Sequence, residues 1–106
     1  MNNIIYIDSS NTVTVKNLMN TATREYINDA TVTMVLVDVD DVNVVGEQWP
    51  ITLDYVVGSR GSYTVVLNSD IQIVRGSKYT AIVTITTNSG LKLTIRNNLK
   101  ANYNFS

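Results

Sequence analysis

Strict alternation of apolar and polar residues recurs along this chain and constrains its fold more than any other feature. In Thr31–Val37, the residues Val32, Met34 and Leu36 share one phase. Over residues 51–57, Ile51, Leu53, Tyr55 and Val57 take one phase, and Thr52 and Asp54 fall on the other. Tyr63, Val65 and Leu67 alternate with Thr64 and Val66, and Tyr79, Ala81, Val83 and Ile85 alternate with Thr80, Ile82, Thr84 and Thr86. Leu91, Leu93 and Ile95 alternate with Lys92, Thr94 and Arg96. Successive side chains of a strand point to opposite faces, so each run predicts a strand with one face buried and one wet. Val13 and Val15 predict an earlier strand, and residues 24–27 a short piece. Composition agrees: Val, Ile and Thr make up 38 of the 106 residues, while Ala and Glu are scarce, which argues against a helical bundle.

Turn chemistry separates the runs. Residues 38–43 close one strand with Asx side chains that bond their own backbone. Gly58-Ser59-Arg60-Gly61 and Asn88-Ser89-Gly90 join neighbouring runs at hairpin length. The link from Leu67 to Tyr79 is too long for a tight hairpin and predicts a crossover, with a helical turn after a capping Ser69. Pro50 cannot donate to a ladder and is placed at the start of the strand that follows Trp49. About seven short strands at this spacing predict an all-β, two-sheet sandwich. Its expected core is Met34, Leu36, Trp49, Leu53, Tyr55, Tyr63, Val65, Leu67, Tyr79, Ala81, Val83 and Leu93. The expected organisation is an N-terminal arm or edge strand over residues 1–10, the sandwich over 11–97 and a C-terminal arm over 98–106.

Several chemistries are excluded or disfavoured. With no histidine and no cysteine, the chain has no disulfide, no thiolate nucleophile, no thiol or imidazole zinc site and no His-based triad. A net charge of −1, from eight basic and nine acidic residues, provides no basic field for nucleic acid. The N-terminal apolar run, Ile4 to Ile7, has no basic residue before it and falls short of the roughly 7–15 residues of a signal peptide. No run approaches the roughly 18 apolar residues of a membrane span. A soluble protein made in a cytoplasm, without membrane or nucleic-acid partners, is the expectation.

The remaining clusters have mostly structural explanations. Asp38, Asp40, Asp41 and Asn43 offer oxygens for calcium but lack the Gly and distal Glu of a calcium loop, and an acidic turn explains them. Glu47 and Asp54 form a nominal carboxylate pair with no third group to orient either one. Gly58-Ser59-Arg60-Gly61 lies between strands, whereas a phosphate cradle precedes a helix. Tyr55, Tyr63 and Tyr79 fall on core phases. Val35, Val37, Val56, Val66 and Ile82 lie on the nominally outer phase and could form a patch for a partner. No catalytic residue, metal or cofactor is expected. Hydrophobic anchors set among Asn and Ser in the terminal segments (Ile4, Ile5, Tyr6, Ile7, Leu99, Tyr103 and Phe105) are the expected partner-binding residues, suited to adding a strand to a neighbour's sheet.

Two segments resemble landmarks of immunoglobulin-like sandwiches. Trp49 lies near the place of their core tryptophan. Gly76-Ser77-Lys78-Tyr79-Thr80-Ala81 resembles their tyrosine corner, with Ala81 where antibody domains carry the second cysteine. From Leu18 to about Arg96, the succession of Tyr26 to Val32, Gly46 to Pro50, Leu53-Asp54-Tyr55, Gly58 to Tyr63 and Lys78 to Ala81 is similar to small Ig-like virion proteins of tailed bacteriophages. The resemblance implies a non-enzymatic accessory or decoration subunit, homo-oligomeric in the particle, that binds capsid, neck or tail proteins. Its implied location is the virion, after synthesis in the host cytoplasm. The alternative is a carbohydrate- or receptor-binding Ig-like adhesion module.

Overall fold

The structure, a computed structural model, describes residues 3–103. They form strands and turns with no helix: β1 (Ile4–Tyr6), β2 (Thr12–Val15), β3 (Met19–Asn20), β4 (Glu25–Tyr26), β5 (Thr31–Val37), β6 (Ile51–Tyr55), β7 (Tyr63–Val66), β8 (Lys78–Thr86) and β9 (Lys92–Asn102). Seven of them build one sheet in the order β1-β9-β8-β5-β6-β7-β2, and β3 and β4 pair as a separate hairpin. All pairings are antiparallel except β1 with β9, which is parallel.

The sheet curls because β6 serves two ladders. Ile51, Thr52 and Leu53 pair with Met34, Thr33 and Val32 of β5, whereas Asp54 and Tyr55 pair with Thr64 and Tyr63 of β7. Asn11 ties the two ends of the curl together. Its side chain accepts from the Tyr6 N–H at 2.8 Å and donates to the Tyr6 carbonyl at 2.9 Å, while its own carbonyl accepts from the Leu67 N–H at 2.8 Å.

The apolar phases of β5 to β8 meet inside this curl. Val32, Met34, Leu36, Leu53, Tyr63, Leu67, Tyr79, Ala81, Val83 and Ile85 are all buried in one cluster. Trp49, Tyr55 and Val65 pack against it half-buried. Leu93 departs from expectation: it shares the face of Ile85, directly opposite, yet is exposed. The alternation gives the phase correctly, but no second layer among the described residues covers that part of β9.

Two long connections are docked rather than loose. Residues 16–30 lie against the β6–β7 hairpin, where Leu18 N–H donates to the Gly61 carbonyl and Gly61 N–H to the Asn28 side chain. The Tyr63 hydroxyl accepts from Ala30 N–H and donates to the Ile27 carbonyl. The link from Leu67 to Tyr79 contains turns and no helix. Asn68, rather than Ser69, caps the first turn by accepting from Asp70 N–H, and the link buries Ile71 and Ile73. Gly46, at φ +111°, lets this link approach: a Cβ there would stand 2.6 Å from the Asp70 carbonyl oxygen.

The two ends also differ from free arms. β1 is an edge strand whose Ile5 side chain is buried in the core, as is that of Ile7 just beyond it. β9 continues without a break past Asn97 to Asn102, burying Ala101.

Candidate functional site

The residues expected to bind a partner are dispersed. Ile5 and Ile7 are buried in the chain's own core. Leu99 packs half-buried against the same core, and Tyr6 is half-buried. Ile4 and Tyr103 are exposed, the latter with the Arg75 guanidinium 6.0 Å from its ring centroid. Phe105 lies outside the described residues.

The loop clusters are accounted for by local bonding. Asp38 accepts from the N–H groups of Asp40 and Val42, which makes the acidic segment a turn. No group of three or more Asp or Glu side chains among the described residues is placed to hold a metal ion. The Glu47 carboxylate accepts from Asn68 N–H at 3.0 Å and Gln48 N–H at 3.2 Å, so it fastens the neighbouring link. Asp54 is exposed on its strand. The rings of Tyr55 and Tyr63 meet edge to face at 5.6 Å. Of the outer-phase residues, Val37 is buried, Val35 and Ile82 stand opposite each other half-buried, and Val56 and Val66 are exposed.

One surface stands apart. β9 has eleven residues, but β1 covers only Lys100, Ala101 and Asn102. On its other side β9 is paired with β8 along nearly its whole length. The bonds from Lys100 N–H to the Asn3 carbonyl and from Thr87 N–H to the Leu91 carbonyl fix the alternation of the ladder. Odd-numbered residues of β9 bond to β8. The N–H and C=O groups of Lys92, Thr94, Arg96 and Asn98 point away from it, and none of them has a backbone partner among the described residues. This open edge carries apolar residues on the core-facing phase: Leu91 is 66% exposed, Leu93 52% and Ile95 39%. Lys92 and Arg96 lie on the other phase.

Natural edge strands are usually blunted by charged side chains, proline, a bulge, an inward-pointing charge or a short length, and here Lys92 and Arg96 supply the first of these on the outer phase. Residues 92–98 have no proline, pair with β8 in unbroken register and point no charge inward. Beside the edge, a cleft of about 580 Å³ opens between β9, β1 and β2, with the core residues Met34, Leu67 and Ala81 along it. The sequence reading missed this site because it placed Leu93 in the core. The signal is present in Lys92, Thr94 and Arg96, which continue the alternation up to Asn97, next to the expected start of the C-terminal arm at Asn98.

Compared with protein-family models, curated proteins and solved structures, the chain matches none of them.

Proposed function

We propose that this chain is a non-enzymatic structural protein of a tailed-bacteriophage particle, an immunoglobulin-like two-sheet domain that binds capsid, neck or tail subunits. The observation that carries the assembly part of this reading is the open edge of β9, apolar on the face of Leu91, Leu93 and Ile95. Its outward N–H and C=O groups and overhanging leucines and isoleucine suit the addition of a partner strand. Such contacts are individually modest, and repetition in a symmetric particle multiplies them.

The immunoglobulin-like topology is supported by three features. β6 leaves the β5 ladder for the β7 ladder, so the curled sheet divides into β1-β9-β8-β5 and β7-β2 joined through one strand. The first strand pairs parallel with the last. The Tyr79 hydroxyl accepts from the Val74 N–H at 2.8 Å, five residues upstream and two residues before Ala81, the arrangement of a tyrosine corner. The virion location is supported by the resemblance of the sandwich landmarks. The adhesion alternative gains no specific support, since Tyr55, Tyr63, Tyr79 and Trp49 all pack on the core instead of forming an exposed platform.

Mass spectrometry of purified particles from a phage whose genome encodes this chain tests the reading. Recovery of its peptides at a constant ratio to the capsid or tail proteins is the expected result. Their absence from particles, with the protein present in the infected lysate, would overturn it.

A further inference from the structure

We propose that the open edge of β9 binds an extended acidic segment of a different protein, with acidic side chains opposite Lys92 and Arg96 and apolar ones opposite Leu93 and Ile95. The inference rests on the reading of the chain as an assembly module and names the chemistry of its partner strand. Charge along the chain is strongly segregated. Up to Asp70 there are three basic and nine acidic residues; after it there are five basic and no acidic ones, so the two parts carry −6 and +5. Four of those five, Lys78, Lys92, Arg96 and Lys100, lie on β8 and β9.

The four share one face. Lys78 stands opposite Lys100, Ile82 opposite Arg96 and Thr86 opposite Lys92, on the phase that alternates with the buried Tyr79, Ala81, Val83 and Ile85. The next strand, β5, adds only threonine and valine to that face. No acidic residue lies on β5, β8 or β9. Two acidic groups flank the face. Asp29 is taken up at the hairpin tip, where it accepts from the Asn88 side chain at 2.7 Å. The turn of Asp38, Asp40 and Asp41 stands at the far end, where its Val39 lines a cleft with Lys78 and Lys100. The Lys92 and Arg96 side chains are exposed and have no hydrogen-bond or ion-pair partner among the described residues.

A strand added to this edge meets both phases at once. The outward N–H and C=O groups along residues 92–98, about 23 Å at 3.3 Å per residue, bond its backbone. Its residues opposite Lys92 and Arg96 stand on the basic face, four apart, and opposite charges across a sheet stabilise where like charges destabilise. Its residues opposite Leu93 and Ile95 fall on the other phase and cover exposed apolar surface. The required pattern, acidic-apolar-polar-apolar-acidic, reads the same in both directions. A second copy of this chain does not supply it. Among the described strands only the two-residue β4 and β6 hold an acid, Glu25 and Asp54, and β6 is taken up between β5 and β7. The charges that oppose pairing of β9 with itself are thus the ones that select an acidic strand. A nucleic acid would meet the basic face but leave the open backbone groups and the exposed Leu93 and Ile95 unused.

The probe is a capped seven-residue peptide with Glu at its second and sixth positions, Val at its third and fifth and Thr elsewhere. Added to the full chain at low salt, it should protect the Thr94 and Arg96 N–H groups from exchange, and it should bind more weakly as salt is raised. The same peptide with Lys in place of Glu should bind at least about tenfold more weakly. Lys92→Glu combined with Arg96→Glu should reverse that preference. Thr94→Pro, which removes an outward N–H and leaves the charges in place, should abolish binding of the acidic peptide with the far-UV spectrum unchanged.

Equal binding of the two peptides, or no protection of those amides at millimolar peptide, would overturn the proposal. So would an oligothymidylate that protects the same amides as strongly, or a two-protomer mass with the amides protected before any peptide is added. Preference for the acidic peptide in a chain absent from purified particles would keep the edge assignment and overturn the virion reading. A chain present in particles but indifferent to the peptides would do the reverse.

Discussion

Tyr63 and Tyr79 place similar hydroxyls in different settings, and the difference sets what each contributes. The Tyr63 hydroxyl bridges Ala30 N–H and the Ile27 carbonyl at the end of the residue 16–30 connection, from one of the most deeply buried side chains in the protein. Tyr63→Phe leaves two backbone groups unpaired and should cost about 1–3 kcal/mol. Tyr79→Phe removes one hydrogen bond, to the N–H of an exposed residue, and should cost about 0.5–1.5 kcal/mol. Urea denaturation of both variants checks the order. The glycines of the β6–β7 hairpin allow a similar comparison. Gly58 and Gly61 both have positive φ, but a Cβ on Gly58 meets nothing within 4 Å, whereas one on Gly61 would collide with the Leu18 carbonyl oxygen. Gly58→Ala should cost about 1–2 kcal/mol for its backbone conformation alone. Gly61→Ala should cost more, because the Leu18 backbone must move as well.

Among the elements, β5 to β8 were legible from alternation because both of their faces have a definite environment. The hairpin turns were legible from Gly, Asn and Ser. β1 was harder to place. Ile4, Ile5, Tyr6 and Ile7 are consecutive apolar residues without alternation, and only the pairing with β9 shows which of them turn inward. Asn97 and Asn98 suggested the end of a strand, yet the ladder to β8 runs through both. Leu93 had the correct phase, but a phase does not say whether another layer lies above it. The missed parts, including the open edge, are therefore settled by tertiary pairing. Two predictions follow from the placement of these strands. Ile5→Ala should cost roughly 2–5 kcal/mol, as for other buried large-to-small changes, and deleting residues 1–8 should unfold the domain by circular dichroism; a truncated chain that stays folded would show that β1 is dispensable. Leu93→Ala should change the stability of the isolated chain by less than about 0.5 kcal/mol, in contrast to Leu53→Ala, which should cost roughly 2–5 kcal/mol.

For the molecule as a whole, shape follows from the β8–β9 hairpin. The described protein measures 42 × 31 × 21 Å, with a radius of gyration of 14.4 Å, against about 13 Å for a compact chain of 100 residues. An eleven-residue strand is roughly 36 Å long at 3.3 Å per residue, so β9 runs much of the length of the molecule. Its first half lies along the rim of the sheet, where Leu93 and Ile95 are exposed. The account's central claim is that this rim is where the chain assembles. Amide hydrogen exchange along β9, followed by NMR with and without added particle proteins, tests it most directly. Leu93, Ile95 and Asn97 bond to β8 and should be protected in both conditions. The N–H groups of Thr94, Arg96 and Asn98 should exchange freely in the isolated chain and become protected when particle proteins are added. Rapid exchange at those three positions both in the isolated chain and in the presence of particle proteins would contradict the account.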